Sequence, residues 1–182
     1  YCPIGSWKSV VVPAGYYSVG DDHTTRESIT ACPPGMWCIN GIKRKCAAGR
    51  YSVNGSPTEQ CDGLCDKGYW CASGSNNKKE NDCPAGRYGH LGMINAACKG
   101  SCRVGYYCPL NSVSPTQNEC GGEYSYCPHG SGAPQPVSSG FFSSGGNITT
   151  RAAQTKCDTS NYWGTPTYTR VRTNVCPSTT VP

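Results

Sequence analysis

Apolar residues occur along this chain mainly as short pairs behind a glycine, and they do not follow the spacing of an amphipathic helix. Gly68-Tyr69-Trp70 and Gly105-Tyr106-Tyr107 are two examples. A glycine ahead of two aromatic residues predicts a tight turn followed by a short, half-buried strand. No apolar run approaches the roughly 20 residues of a membrane span. The pattern therefore predicts a row of short β-hairpins and no membrane span.

The sequence also repeats itself at two periods. Residues 2–32 align without a gap on residues 127–157, with 13 of 31 positions identical. Inside this long repeat, residues 46–71 align on residues 83–108 with their cysteines superposed. The shared motif is C-x-A-G-R-Y, a turn, and then C-x3-C-x2-G-Y-aromatic-C. Modules this small cannot build a core alone, so each is expected to pack only on its neighbours.

The repeats divide the chain into four predicted segments. They are a degenerate cysteine-rich module at 1–45, two cysteine-rich repeats at 46–82 and 83–120, and a partial second copy with a divergent C-terminal part at 121–182. We expect a small, disulfide-rich and mostly irregular fold with short β-hairpins. The modules should form an elongated tandem-repeat rod that lacks a large hydrophobic core.

The composition explains why cross-links are needed. The chain has 15 Cys, 23 Gly and 14 Pro, and only 36% of its residues are hydrophobic. Such a chain buries too little apolar surface to offset its conformational entropy without covalent help. Because disulfides persist in oxidising compartments, we expect an extracellular protein, either secreted or part of a cell-surface appendage.

The repeats favour one disulfide scheme over another. Val12 stands where the later repeats have Cys46 and Cys83, and the partner position near Ser28 also lacks a cysteine. Because the first module lacks both cysteines, the two cysteines at these positions in each later repeat are expected to bond to each other. The first scheme therefore contains Cys32–Cys38, Cys46–Cys61, Cys65–Cys71, Cys83–Cys98, Cys102–Cys108, Cys120–Cys127 and Cys157–Cys176. It leaves Cys2 unpaired or bonded to another chain. The rival scheme contains Cys2–Cys32, Cys38–Cys46, Cys71–Cys83, Cys108–Cys120 and Cys127–Cys157.

Apart from the cysteines, few residues indicate a binding, modification or catalytic site. The sequons at 54–56 and 147–149 predict N-linked glycans at Asn54 and Asn147. The net charge is +5, but the basic residues are scattered, so no nucleic-acid-binding face is expected. The cysteines include no C-x2-C pair and the three His lack ligand spacing, so we expect no metal site. No catalytic motif is present, and we expect neither enzyme activity nor a cofactor.

The repeat motif resembles the ephrin-receptor-like cysteine-rich repeats of large extracellular proteins. CPAGRYGHLGMINAAC, residues 83–98, carries the resemblance best, whereas residues 46–61 depart from it at Ala47, where the family usually has Pro. The resemblance covers 46–120 well and the flanking segments loosely, and it implies a scaffold without one activity. YCPHGSGAPQPVSSGFF, followed by GGNITTR, is similar to tandem arrays in surface proteins of protists, algae and oomycetes, some of them associated with extracellular fibres.

These patterns lead to two functional hypotheses. The first is a structural subunit of an extracellular glycosylated fibre, because residues 127–157 repeat the start of the chain and the pattern then stops. Residues 1–38 of a second copy could continue it, and a head-to-tail contact of this kind builds an open filament. The expected partners are then further copies of the chain and covalent glycans. The alternative is a stalk or ligand-binding fragment of a receptor or adhesin ectodomain.

Overall fold

The structure is a computed structural model, and it describes residues 1–22 and 24–157. Over these ranges the chain forms sixteen short strands and no helix, so it also has no helix that could cross a membrane. The strands pair in chain order into eight antiparallel two-stranded hairpins. Their bounds are β1 Tyr16–Gly20, β2 Arg26–Ala31, β3 Met36–Ile39, β4 Ile42–Lys45, β5 Arg50–Tyr51, β6 Gly63–Leu64, β7 Tyr69–Trp70, β8 Asn81–Asp82, β9 Arg87–Tyr88, β10 Gly100–Ser101, β11 Tyr106–Tyr107, β12 Asn118–Glu119, β13 Ser125–Tyr126, β14 Gln135–Pro136, β15 Phe141–Ser144 and β16 Ala153–Lys156. The predicted small, disulfide-rich and mostly irregular fold with short β-hairpins is confirmed.

A glycine in a left-handed conformation precedes the first strand in seven of these hairpins. Its φ angle lies between 73° and 86°, a region that residues with a Cβ rarely adopt. In the hairpin of β13 and β14, Tyr124 occupies this place. We call the glycine at this position the turn glycine. The turn glycines are Gly15, Gly35, Gly49, Gly68, Gly86, Gly105 and Gly140.

Successive hairpins are joined by backbone hydrogen bonds. The N–H of Gly35 donates to the carbonyl of Ser52 at 2.7 Å, and that of Gly49 donates to the carbonyl of Cys71 at 2.9 Å. In each case the acceptor is the third residue after the turn glycine of the next hairpin. We call this third residue after the turn glycine the ladder residue. In the hairpin of β13 and β14, where Tyr124 replaces the turn glycine, it is the third residue after Tyr124. The ladder residues are Ser18, Cys38, Ser52, Cys71, Gly89, Cys108, Cys127 and Ser143.

The structure contains two compact units. The first comprises Tyr1–Cys83 and Gly89–Cys98, and the second comprises Pro84–Tyr88 together with the described residues from Lys99 onward. Within each unit, the buried apolar residues of the described ranges are all cysteines. Cross-linked sulfur atoms therefore take the place that aliphatic and aromatic side chains hold in an ordinary core.

Every ladder residue is Ser, Cys or Gly, and the packing at Gly89 shows why. A Cβ at Gly89 would lie 2.6 Å from Sγ of Cys83, a disulfide sulfur that cannot rotate away. Gly89→Ala is therefore expected to lower the free energy of unfolding by about 1–3 kcal/mol through overpacking. Urea unfolding followed by Trp and Tyr fluorescence measures this change.

Gly122→Ala is the matched control for that substitution. A Cβ at Gly122 meets nothing within 4 Å, and its φ lies outside the left-handed region. Its unfolding midpoint should stay at or slightly above that of the parent chain, since Ala restricts the unfolded state. Equal midpoints for the Gly89 and Gly122 variants would contradict the packing argument.

Candidate glycosylation and assembly sites

The described residues contain six disulfides, with Cα–Cα distances from 5.6 to 6.2 Å. They are Cys32–Cys38, Cys46–Cys61, Cys65–Cys71, Cys83–Cys98, Cys102–Cys108 and Cys120–Cys127, which are pairs of the first scheme. The rival pairs do not form; Cys38, for example, is bonded to Cys32 and not to Cys46. The pair Cys157–Cys176 lies outside the described residues, because Cys176 does. Cys2 is exposed and forms no disulfide in the described part of the chain.

Two kinds of disulfide alternate along the middle of the chain. In one kind the ladder residue is itself a cysteine and bonds six positions back, as in Cys65–Cys71. In the other kind the ladder residue is Ser52 or Gly89, and the cysteine before the turn glycine bonds 15 positions forward, as in Cys46–Cys61. Two hairpins of different kinds therefore make up one 37-residue sequence repeat.

The predicted glycosylation site at Asn147 lies in the exposed loop between β15 and β16. Oδ1 of Asn147 accepts hydrogen bonds from the N–H of Thr149 at 2.9 Å, the hydroxyl of Thr149 at 3.1 Å and the N–H of Thr150 at 3.0 Å. This is an Asx turn, which forms through contacts only two or three residues apart. It brings the amide and the hydroxyl of the sequon together on the surface.

Asp22 forms the same turn in the first copy of the long repeat. Its Oδ1 accepts hydrogen bonds from the N–H of Thr24 at 2.6 Å, the hydroxyl of Thr24 at 2.7 Å and the N–H of Thr25 at 2.8 Å. These donors favour the charged carboxylate, so they hold the pKa of Asp22 well below its usual range. The two copies of the long repeat therefore have the same turn, built on the carboxylate of Asp22 in the first copy and on the amide of Asn147 in the second.

The second predicted glycosylation site, Asn54, has a different environment. Its side chain is exposed, but the hydroxyl-bearing residue of the sequon, Ser56, is buried. The N–H of Ser56 donates to the carbonyl of Met36 at 2.9 Å, and its Oγ accepts from the N–H of Thr58 at 3.2 Å. Packing between hairpins thus uses the polar groups of Ser56, and the sequon at 54–56 is not displayed like the one at 147–149.

One pentapeptide turn occurs twice in the described chain. Cys127-Pro128-His129-Gly130-Ser131 is seated on the preceding hairpin, because Cys127 accepts from the N–H of Gly105 at 2.8 Å and Ser131 accepts from that of Cys108 at 2.9 Å. Cys2-Pro3-Ile4-Gly5-Ser6 forms the same local turn, in which Ser6 donates to Pro3 at 2.9 Å. Sequence comparison aligns these turns, but it does not reveal that the turn at 127–131 is bonded to a hairpin whereas the turn at 2–6 is exposed.

The described residues include no other group with evident chemistry. In the part of the chain that it describes, no group of three or more His, Cys, Asp and Glu side chains could hold a metal ion. The basic strand β4 is exposed along its whole length, and Lys43 and Arg44 lie over the rings of Tyr17 and Trp37, at 4.5 and 5.9 Å from the ring centroids. Lys43 therefore packs on a ring of the preceding hairpin, and Arg44 packs on a ring of its own hairpin.

No family model, no curated protein and no solved structure matches this chain.

Proposed function

We propose that this chain is a structural subunit of an extracellular, glycosylated fibre in which hairpins continue head to tail from one copy to the next. The observation that supports it is the ladder of backbone hydrogen bonds between hairpins. Because the bonding groups belong to the backbone, any hairpin with a turn glycine and a small ladder residue can extend the array. Disulfides that persist outside the cell and the exposed sequon at Asn147 are consistent with this setting.

The proposal predicts polymers of the secreted chain. Sedimentation velocity of the full chain, produced with native disulfides, should show a sedimentation coefficient that rises with protein concentration, and negative-stain electron microscopy should show filaments. The predicted elongated rod is part of this proposal, and the images would measure its width. A chain that stays monomeric at every concentration, with its disulfides verified by mass spectrometry, would contradict head-to-tail assembly.

The alternative, a stalk of a receptor or adhesin ectodomain, has one observation in its favour. Cys2 corresponds to Cys127, whose partner Cys120 lies seven residues before it. A longer polypeptide could supply the corresponding cysteine ahead of Tyr1. Peptide mapping of the native protein separates the two functions, since a bond from Cys2 to a cysteine of the same polypeptide favours the stalk.

A further inference from the structure

An open cavity of about 480 Å³ lies between three successive hairpins of the first unit. Its volume falls within the range of small-molecule sites, which is roughly 300–1,000 Å³. One wall is apolar, and the other carries two side-chain amides and an ammonium group. The lining consists of Pro34 from the hairpin of β3 and β4, Tyr51 and Val53 from that of β5 and β6, and Asn76, Asn77 and Lys78 from the loop between β7 and β8.

The apolar wall is built around the ring of Tyr51. Tyr51 pairs with Gly63 of β6, and its Cε1 lies 3.8 Å from the place where a Cβ on Gly63 would stand. Because Gly63 has no side chain, the ring can rest on the partner strand, where it is half-buried. Val53, which is 51% exposed, extends the same wall. A ring supported in this way offers a ligand a rigid aromatic surface.

The polar wall is a loop whose backbone is already bonded. The carbonyl of Lys78 accepts from the N–H of Asp66 at 2.9 Å, and Oδ1 of Asn77 accepts from the N–H of Lys79 at 2.9 Å. The side chain of Asn76, in contrast, has no hydrogen-bond partner within the described ranges, and it is exposed. Its amide therefore offers a ligand both a donor and an acceptor.

The next 37-residue repeat builds the same loop without these amides. Residues 76–78 correspond there to Val113-Ser114-Pro115. The carbonyl of Pro115 accepts from the N–H of Arg103 at 2.8 Å, which reproduces the backbone bond made by Lys78. The loop therefore folds without an amide at the position of Asn76, so folding does not account for that amide.

We propose that this cavity binds a neutral pyranose sugar. A pyranose has a face of C–H groups that can stack on the ring of Tyr51, and its hydroxyls both donate and accept, as the amide of Asn76 does. Lys78 is the one charged residue of the lining, and its Nζ lies 3.4 Å from Oδ2 of Asp66, so the cavity has no unpaired charge to favour an anion. A purely apolar ligand would bury the amide of Asn76 without a partner.

The chain itself carries a predicted sugar attachment site beside the cavity. Val53 belongs to the lining, and the next residue, Asn54, is the exposed acceptor of a predicted N-linked glycan. The sugar bonded to Asn in such a glycan is N-acetylglucosamine, a neutral pyranose. The occupant is therefore an N-acetylglucosamine of the Asn54 glycan or one carried by another molecule, and both are recognised by the same chemistry.

This inference goes beyond the proposed function and does not depend on it. Sugar binding is a property of one chain, because every lining residue belongs to the first unit. Measurements on the dilute monomer therefore test the cavity, and they give the same answer whether or not the chain assembles into a fibre.

Titration with N,N′-diacetylchitobiose, followed in 1H–15N correlation spectra, tests the site. The chain for this experiment has native disulfides and the substitutions Asn54→Gln and Asn147→Gln, so that it carries no N-linked glycan. The side-chain amide of Asn76 and the backbone amides of Tyr51 and Val53 should shift and saturate. Asn76→Val, which copies the next repeat, and Tyr51→Ala should each weaken binding about fivefold.

Tyr88→Ala is the matched control for Tyr51→Ala. Tyr88 holds the corresponding place in the next repeat, where it pairs with Gly100 and its Cε1 lies 3.6 Å from the place of a Cβ on that glycine. This control should bind the disaccharide as the parent chain does. Unchanged binding by the Asn76→Val chain would overturn the proposal, and so would an equal response to a tripeptide such as Ala-Gly-Ala.

A chain glycosylated at Asn54 distinguishes the two sources of the sugar. If its own glycan fills the cavity, nuclear Overhauser effects should connect the ring of Tyr51 to an N-acetylglucosamine, and added disaccharide should no longer shift the amide of Asn76. If the sugar comes from another molecule, this chain should bind the disaccharide as the non-glycosylated chain does. Absence of both the internal contact and disaccharide binding would overturn the proposal and leave the proposed fibre untouched.

Discussion

Full reduction of the disulfides is expected to unfold the described part of the chain at room temperature. The buried apolar residues there are cysteines, so no separate core remains when the cross-links open. Closing a loop of six residues stabilises a fold by about 2 kcal/mol, and closing one of 15 residues by about 3 kcal/mol. The described residues have four loops of six or seven residues and two of 15, which together contribute about 14 kcal/mol, close to the upper end of the stability of a typical small domain, about 5–15 kcal/mol.

The spread of amide signals in a 1H–15N correlation spectrum reports this unfolding directly. Dispersed signals should collapse to the narrow range of an unfolded chain after treatment with a phosphine reductant. The control is the same chain treated with an alkylating reagent and no reductant, which modifies the exposed Cys2 and leaves the fold intact. A dispersed spectrum from a chain that mass spectrometry shows to be fully reduced would mean that packing between hairpins suffices.

Asp22→Asn is expected to gain an N-linked glycan when the chain passes through a eukaryotic secretory pathway. The sequence at 22–24 then reads N-H-T, and the turn at Asp22 already matches that at Asn147 atom for atom in its acceptor contacts. Because these contacts span only two or three residues, the turn can form before the disulfides do. A mass increase that is removed by an N-glycosidase, and that maps to position 22, measures the gain.

The other sequons provide the controls for this experiment. Adding Thr24→Ala to the Asp22→Asn chain should remove the new glycan, and Asn147→Asp should remove the native one while preserving the turn. Asn54 should carry a glycan in a smaller fraction of chains than Asn147, because Ser56 is buried between hairpins. Full occupancy at Asn54 together with none at position 22 would show that turn geometry does not govern modification.

The sequence predicts the short hairpins and cysteine pairs of this fold because both are local. The pair Cys83–Cys98, for instance, spans only 15 positions, and the first module lacks the corresponding pair because Val12 replaces one partner. That each sequence repeat contains two hairpins was harder to predict. Alternate hairpins use different disulfides, so the superposition of Cys46 on Cys83 conceals the hairpin between them.

The bonds between hairpins and the difference between the two sequons depend on contacts that the sequence does not encode locally. The ladder bonds are made by backbone groups, and their only trace in the sequence is a small residue such as Ser52, Gly89 or Ser143 at the ladder position. The buried Ser56 donates its N–H to the carbonyl of Met36 in the preceding hairpin, 20 residues earlier in the chain. Pattern comparison within one hairpin does not reach these contacts.

Each of the six disulfides starts at a cysteine whose N–H donates to the turn glycine of one hairpin and ends at a cysteine of the next hairpin, so successive hairpins are also joined covalently. Under tension along the chain, force passes through these cross-links and bypasses the residues they enclose, such as 47–60 and 84–97. Those loops contribute no extra length when the array is stretched, so its extensibility comes from the segments between cross-links. Breakage of the non-covalent bonds between hairpins then leaves neighbouring hairpins tied by a disulfide, so they can re-form their contacts when the load falls.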